Sequence, residues 1–72
     1  MAFYVSNSSG NKFIKEDFFY STIAYYAVTE SFEKRQKFYE EWEANLVVSY
    51  ANFWFPEDKW ELREDKKKEE RL

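Results

Sequence analysis

Apolar positions recur at three- and four-residue steps through the middle of the chain: Phe32, Tyr39, Trp42, Leu46, Tyr50 and Phe53. On a helical wheel they lie within roughly 40° of the line through Leu46. Val47 and Trp54 flank one side of this stripe and Phe38 the other, while Glu33, Lys34, Lys37, Glu40, Glu41 and Asn52 lie elsewhere. The spacing predicts an amphipathic helix with a wide apolar face. Thr29-Glu30-Ser31 offers a break before it, with Ser or Thr as the N-cap.

Upstream the pattern changes. Residues 18–28 are apolar nearly all round: Phe18, Thr22 and Tyr25 share one helical face, and Phe19, Ile23 and Tyr26 cover much of the rest. A helix of that kind is buried on several sides. The same aromatic and β-branched residues also suit a strand. Lys12 to Phe55 contains no Gly or Pro, which favours helix over an all-β fold with frequent turns. Glu16 and Asp17 suit a first helical turn, where the macrodipole favours anions.

The two ends read differently. Ala2 to Ser6 is rich in strand formers, Asn7-Ser8-Ser9-Gly10-Asn11 is a turn signal, and Lys12 to Lys15 follows. That pattern fits either a β-hairpin or an extended arm. Pro56-Glu57-Asp58 is a helix-start signature. The mixed charges from Lys59 to Leu72, with Lys66-Lys67-Lys68 set between acids, read as a solvated helix that frays at its end. The expected fold is therefore mainly α in a single small domain. Residues 1–12 form a short hairpin or arm, 13–55 an antiparallel helical pair, and 56–72 a charged C-terminal helix.

Composition adds a constraint on stability. The chain has 72 residues, no Cys and no His. Disulfides and the usual zinc or copper sites are excluded. A domain of ~60 residues buries only about 60% of its unfolded surface, so oligomerisation or partner binding is the remaining staple. Eight Phe, six Tyr and three Trp make 24% of the residues. Each ring buries ~150–250 Å² when enclosed. A core this small cannot hold them all, and exposed aromatic surface marks an interaction site. Leu46, Phe53 and Phe32 are assigned to the core. Tyr25, Tyr26, Tyr39, Trp42, Tyr50, Trp54 and Trp60 are assigned to a protein-binding surface, because Tyr and Trp combine an apolar body with a polar tip.

Charged candidates join them. Arg35 lies on the centre line of the stripe. It is placed to stack on Tyr39 or on a partner's group, or to snorkel at the core's edge. Glu40 and Glu41, with Glu43, surround Trp42. They read either as a solvated helix face or as a patch that meets a basic groove.

Several chemistries fall away. Without His or Cys the common nucleophile–base pairs cannot be assembled. Carboxylate pairs such as Glu40 with Glu43, or Glu57 with Glu61, lie on faces that read as exposed rather than in a cleft. A single Gly leaves no phosphate loop or calcium loop. Net charge is −3, from 14 acids and 11 bases, so a basic nucleic-acid footprint is missing. No catalytic residue, cofactor or metal is expected. Residues 1–10 lack a signal peptide's basic start and apolar run. The weakly polar stretch 18–28 is shorter than the about 20 residues of a membrane span, so a cytoplasmic location is expected. Without secretion, the glycosylation sequon Asn7-Ser8-Ser9 carries no meaning.

These readings converge on a non-enzymatic protein-binding protein, an inhibitor or adaptor that covers a functional surface of a larger protein. The bias toward Phe, Tyr, Lys and Asn suits an AT-rich genome, and hence a phage-encoded inhibitor of a host or defence enzyme. The alternative is an obligate homodimer or an accessory subunit of a larger assembly. A third reading, an acidic nucleic-acid mimic, conflicts with the interspersed Lys and Arg.

Overall fold

Trp60-Glu61-Leu62-Arg63 alternates apolar and charged residues, and this period of two makes it a strand rather than part of a helix. The computed structural model describes residues 1–19 and 23–65. The strands are β1 (Ala2–Asn7), β2 (Phe13–Phe19), β3 (Ile23–Thr29) and β4 (Trp60–Asp65). One α-helix, α1 (Glu41–Trp54), lies between β3 and β4, after a single 3-10 turn at Phe32–Lys34. The strands form one sheet in the order β3-β2-β1-β4, every neighbouring pair antiparallel.

The mainly α expectation is thus overturned. Phe13 to Thr29 is a strand pair in continuous register from Phe13↔Thr29 to Phe19↔Ile23, where a buried helix was expected. Aromatic and β-branched residues crowd a helix turn but pack well on a pleated surface. The absence of Gly and Pro from Lys12 to Phe55 was therefore no argument against paired strands. The expected C-terminal helix is β4 within its described part. Lys66-Lys67-Lys68 and the rest of the tail lie outside the described residues.

The turn at the N-terminus joins β1 to β2 and is organised by one side chain. Asn7 is buried, and its Oδ1 accepts hydrogen bonds from the amides of Gly10 (3.0 Å), Asn11 (3.0 Å) and Lys12 (3.1 Å). Gly10 takes φ 77°, a left-handed conformation that costs a residue with a Cβ about 1–2 kcal/mol. Past this turn β1 and β2 diverge, and they pair only at Ser6↔Phe13. Residues 36–38 fill the gap. The Gln36 amide donates to the Ile14 carbonyl at 2.9 Å, and Phe38 exchanges two backbone hydrogen bonds with Phe3 at 2.7 and 2.8 Å.

The insertion shortens the expected second helix, whose stripe ran from Phe32. Arg35 is already extended at φ −60°, ψ 145°. Helix begins only at Glu41, with Glu41 and Glu43 in its first turn, where the dipole favours acids. It ends at Phe55, which Pro56 drives out of the helical region to φ −126°, ψ 62°.

Helix α1 lies over β1 and β4 and closes the main core. Val5, Ile14, Phe38, Ala44, Val47, Ala51 and Trp60 are buried there, flanked by Phe3, Tyr26, Val28, Val48, Phe55 and Leu62. The sheet and the inserted Phe38 supply the bulk, and the helix supplies small residues, which lets its backbone come close. Full burial of side chains such as Val5 or Ile14 contributes about 1.5–3 kcal/mol each. The Trp60 indole N–H is satisfied by the Phe55 carbonyl at 2.9 Å, as a buried tryptophan requires. Asn52 clips the helix to β4, accepting from the Trp60 amide at 2.9 Å and donating to its carbonyl at 3.2 Å.

The sheet's other face carries a smaller cluster. Tyr4, Phe13 and Phe32 meet with ring centroids 5.3–6.1 Å apart. Over them lies Arg35, its guanidinium 3.7 Å from the Phe32 ring centroid. Its Nη2 donates to both carboxylate oxygens of Asp65, at 2.8 and 2.9 Å. The segment from Ser31 to Arg35 is thereby strapped across β1 to the end of β4. Among the described residues no helix is long and apolar enough to cross a membrane.

Candidate apolar interface on the helix

The face of α1 that meets the sheet is built from Ala44, Val47, Val48 and Ala51. At about 100° per residue, Trp42, Leu46, Ser49 and Phe53 fall within an arc of about 60° on the opposite side. All three large members of that arc are in water: Trp42 is 64% exposed, Leu46 62% and Phe53 71%. Trp54 and Tyr39 add to it at 60% and 68%. The helix is therefore apolar on two opposite faces, only one of which the fold covers.

This reverses part of the sequence assignment. Leu46, Phe53 and Phe32 were assigned to the core, and all three are exposed. Trp60 was assigned to the surface and is buried, 2% exposed. The stripe's period was read correctly over α1, but its outward direction was not. The signal that marks the inner face is small size: Ala44, Val47 and Ala51 at helical spacing announce a close approach, whereas bulky residues at that spacing do not.

The other sequence candidates separate. Tyr39, Glu40, Glu41, Trp42 and Trp54 are all exposed, with Trp42 on the outer arc of α1 and Glu41 and Trp54 at its two ends. Tyr50 is half-buried and links this surface to the interior. Its ring lies 6.2 Å from Trp54, 6.4 Å from Phe55 and 5.5 Å from Tyr26, and Phe55 in turn lies 6.3 Å from Trp60. Tyr26 is half-buried on β3 beside Phe38. Burial, then the carboxylates of Glu16 and Glu43 and the Tyr50 phenol, raise its phenol above the ordinary 10.0. Tyr25 is exposed on the opposite face of β3, away from α1. Arg35 stacks on Phe32 and Tyr4, not on Tyr39, and its charge is committed to Asp65.

Acidic residues lead the helix, and Glu43 among them is half-buried and turned toward Tyr26 rather than outward. Helix α1 contains Glu41 and Glu43 and no Lys or Arg, with exposed Glu40 before it and Glu57 after it. Of the carboxylate pairs considered for acid–base work, Glu40 is exposed and Glu43 half-buried. Glu57 is exposed, and Glu61 lies 3.7 Å from Arg63. Among the described residues no group of three acidic side chains is placed to hold a metal ion. No protein-family model, curated protein or solved structure matches the chain.

Proposed function

We propose that the chain is a non-enzymatic, cytoplasmic protein-binding protein, an inhibitor or adaptor whose outer α1 face covers a functional surface of a larger protein. The observation that carries this reading is the exposure of Trp42, Leu46 and Phe53 along the whole outer face of one helix. A helix-in-groove contact uses apolar anchors at such spacings, and large exposed apolar patches are rare on monomers without a partner. The acids at the helix start fit a partner groove with a basic rim, which also accelerates encounter.

The test is capture from lysate with immobilised wild type and with Trp42→Ala/Leu46→Ala/Phe53→Ala. These side chains lie outside the core, so the variant should keep the wild-type circular dichroism spectrum and lose the captured protein. Identical capture by both proteins would refute the reading.

A further inference from the structure

We infer that the chain forms a twofold dimer by pairing β3 with β3 of a second copy, joining two four-stranded sheets edge to edge. The inference rests on β3 alone and does not depend on the role of α1. Strand β3 is an edge of the sheet. Its seven residues, Ile23-Ala24-Tyr25-Tyr26-Ala27-Val28-Thr29, include no charge, Pro or Gly. Edge strands normally carry a lysine, a proline or a bulge that blocks pairing with another chain. Here the register with β2 runs through all seven residues without a bulge.

The backbone fixes which groups face outward. The carbonyls of Lys12 and Ile14 bond to Asn7 and Gln36, on the β1 side of β2. By alternation Phe13, Lys15, Asp17 and Phe19 point their amides and carbonyls at β3. Their partners Thr29, Ala27, Tyr25 and Ile23 point back. Ala24, Tyr26 and Val28 therefore turn their N–H and C=O outward, and no described residue pairs with them.

A twofold axis at Tyr26 uses all three. Tyr26 pairs with its own copy and Ala24 with the second copy's Val28, for about six backbone hydrogen bonds. On the face away from α1, exposed Tyr25 falls opposite the second copy's Ala27, a large residue against a small one. No like charges meet anywhere along the seven residues. The axis is perpendicular to the sheet, so both helices stand on the same face and their outer surfaces are displayed side by side.

Sedimentation equilibrium combined with amide exchange tests the pairing. Wild type should dimerise, and the amides of Tyr26 and Val28 should become protected as concentration rises, while those of Tyr25 and Ala27 are protected throughout. Tyr25→Lys/Ala27→Lys sets like charges opposite each other at two places and should give a folded monomer by circular dichroism. Tyr25→Lys/Ala27→Glu sets opposite charges there and should remain a dimer. Trp42→Ala should leave the dimer intact. A wild-type monomer at all concentrations, or a dimer lost with Trp42→Ala and kept with Tyr25→Lys/Ala27→Lys, would overturn the pairing. The first result would leave partner capture by α1 untouched, whereas the second would place a second copy on the α1 face and count against both readings.

Discussion

Asp65→Ala should be the most damaging single substitution near the surface of this protein. The Arg35 and Asp65 side chains are only 11% and 7% exposed. Arg35 also donates to the Phe32 carbonyl at 2.7 Å, and its Nε is buried without a partner. Removing the carboxylate leaves a guanidinium enclosed between Phe32, Tyr4 and the sheet with no counter-charge. Breaking one side of a buried pair costs about 3–5 kcal/mol. Scaled by length, 72 residues support a total stability of roughly 4–11 kcal/mol, so this one change removes a large share. At about 4–8 °C per kcal/mol for a domain of this size, the midpoint of thermal unfolding should fall by at least ~12 °C. Urea unfolding followed by circular dichroism measures the loss directly. Glu61→Ala is the control. Its partner Arg63 is 3.7 Å away and both side chains are more than a third exposed, so its loss should be below ~1 kcal/mol. The double change Arg35→Met/Asp65→Leu should recover much of the deficit, because an apolar pair of similar size avoids the desolvation cost. If Asp65→Ala costs no more than Glu61→Ala, the 31–35 segment is not latched by this ion pair.

Three further outcomes follow from the same geometry. Asn7→Ala strips the acceptor from three turn amides and should cost about 2–3 kcal/mol in urea unfolding, whereas Asn11→Ala should cost less than half as much. The hydrogen bond from Asn7, then that from Lys12 and its charge, holds the Asp58 carboxyl below its ordinary 3.8 despite an opposing contribution from desolvation. Since the folded value is the lower one, the stabilisation is present above 3.8 and lost as pH falls through the folded value. Wild type should therefore exceed Asp58→Asn in urea midpoint at neutral pH, with the gap closing in strong acid. Iodide should quench Trp42 and Trp54 but not Trp60, so Trp42→Phe/Trp54→Phe should fluoresce at the blue edge and resist quencher. A red-shifted, quenchable Trp60 would place the helix on the wrong side of the sheet.

How far local pattern reaches is visible in two segments of the same chain. In α1 the three-to-four spacing of Trp42, Leu46, Tyr50 and Phe53 correctly marks helix, because no sheet hydrogen bonds compete there. In residues 32–38 the same spacing continues, yet Gln36 and Phe38 bond to Ile14 and Phe3 instead. A gap between two diverging strands satisfies their backbone groups, and nothing in their own sequence announces it. Residues 13–29 show the opposite case. The strand-forming residues are visible, but no Gly or Pro separates them into two segments, so helix and strand cannot be separated without the partner strand.

The sequence by itself determines that this protein has no cysteine or histidine chemistry, and that α1 is helical. It also determines a turn at Asn7–Asn11 and more aromatic surface than so small a core can enclose. Only the tertiary structure decides where that surface lies. Periodicity says which side chains share a helix face, but not which face docks. That choice is made by volume. With Trp60, Ile14, Val5 and Phe38 already filling the space above the sheet, only the narrow Ala44–Val47–Ala51 face fits, and Trp42, Leu46 and Phe53 are left facing water.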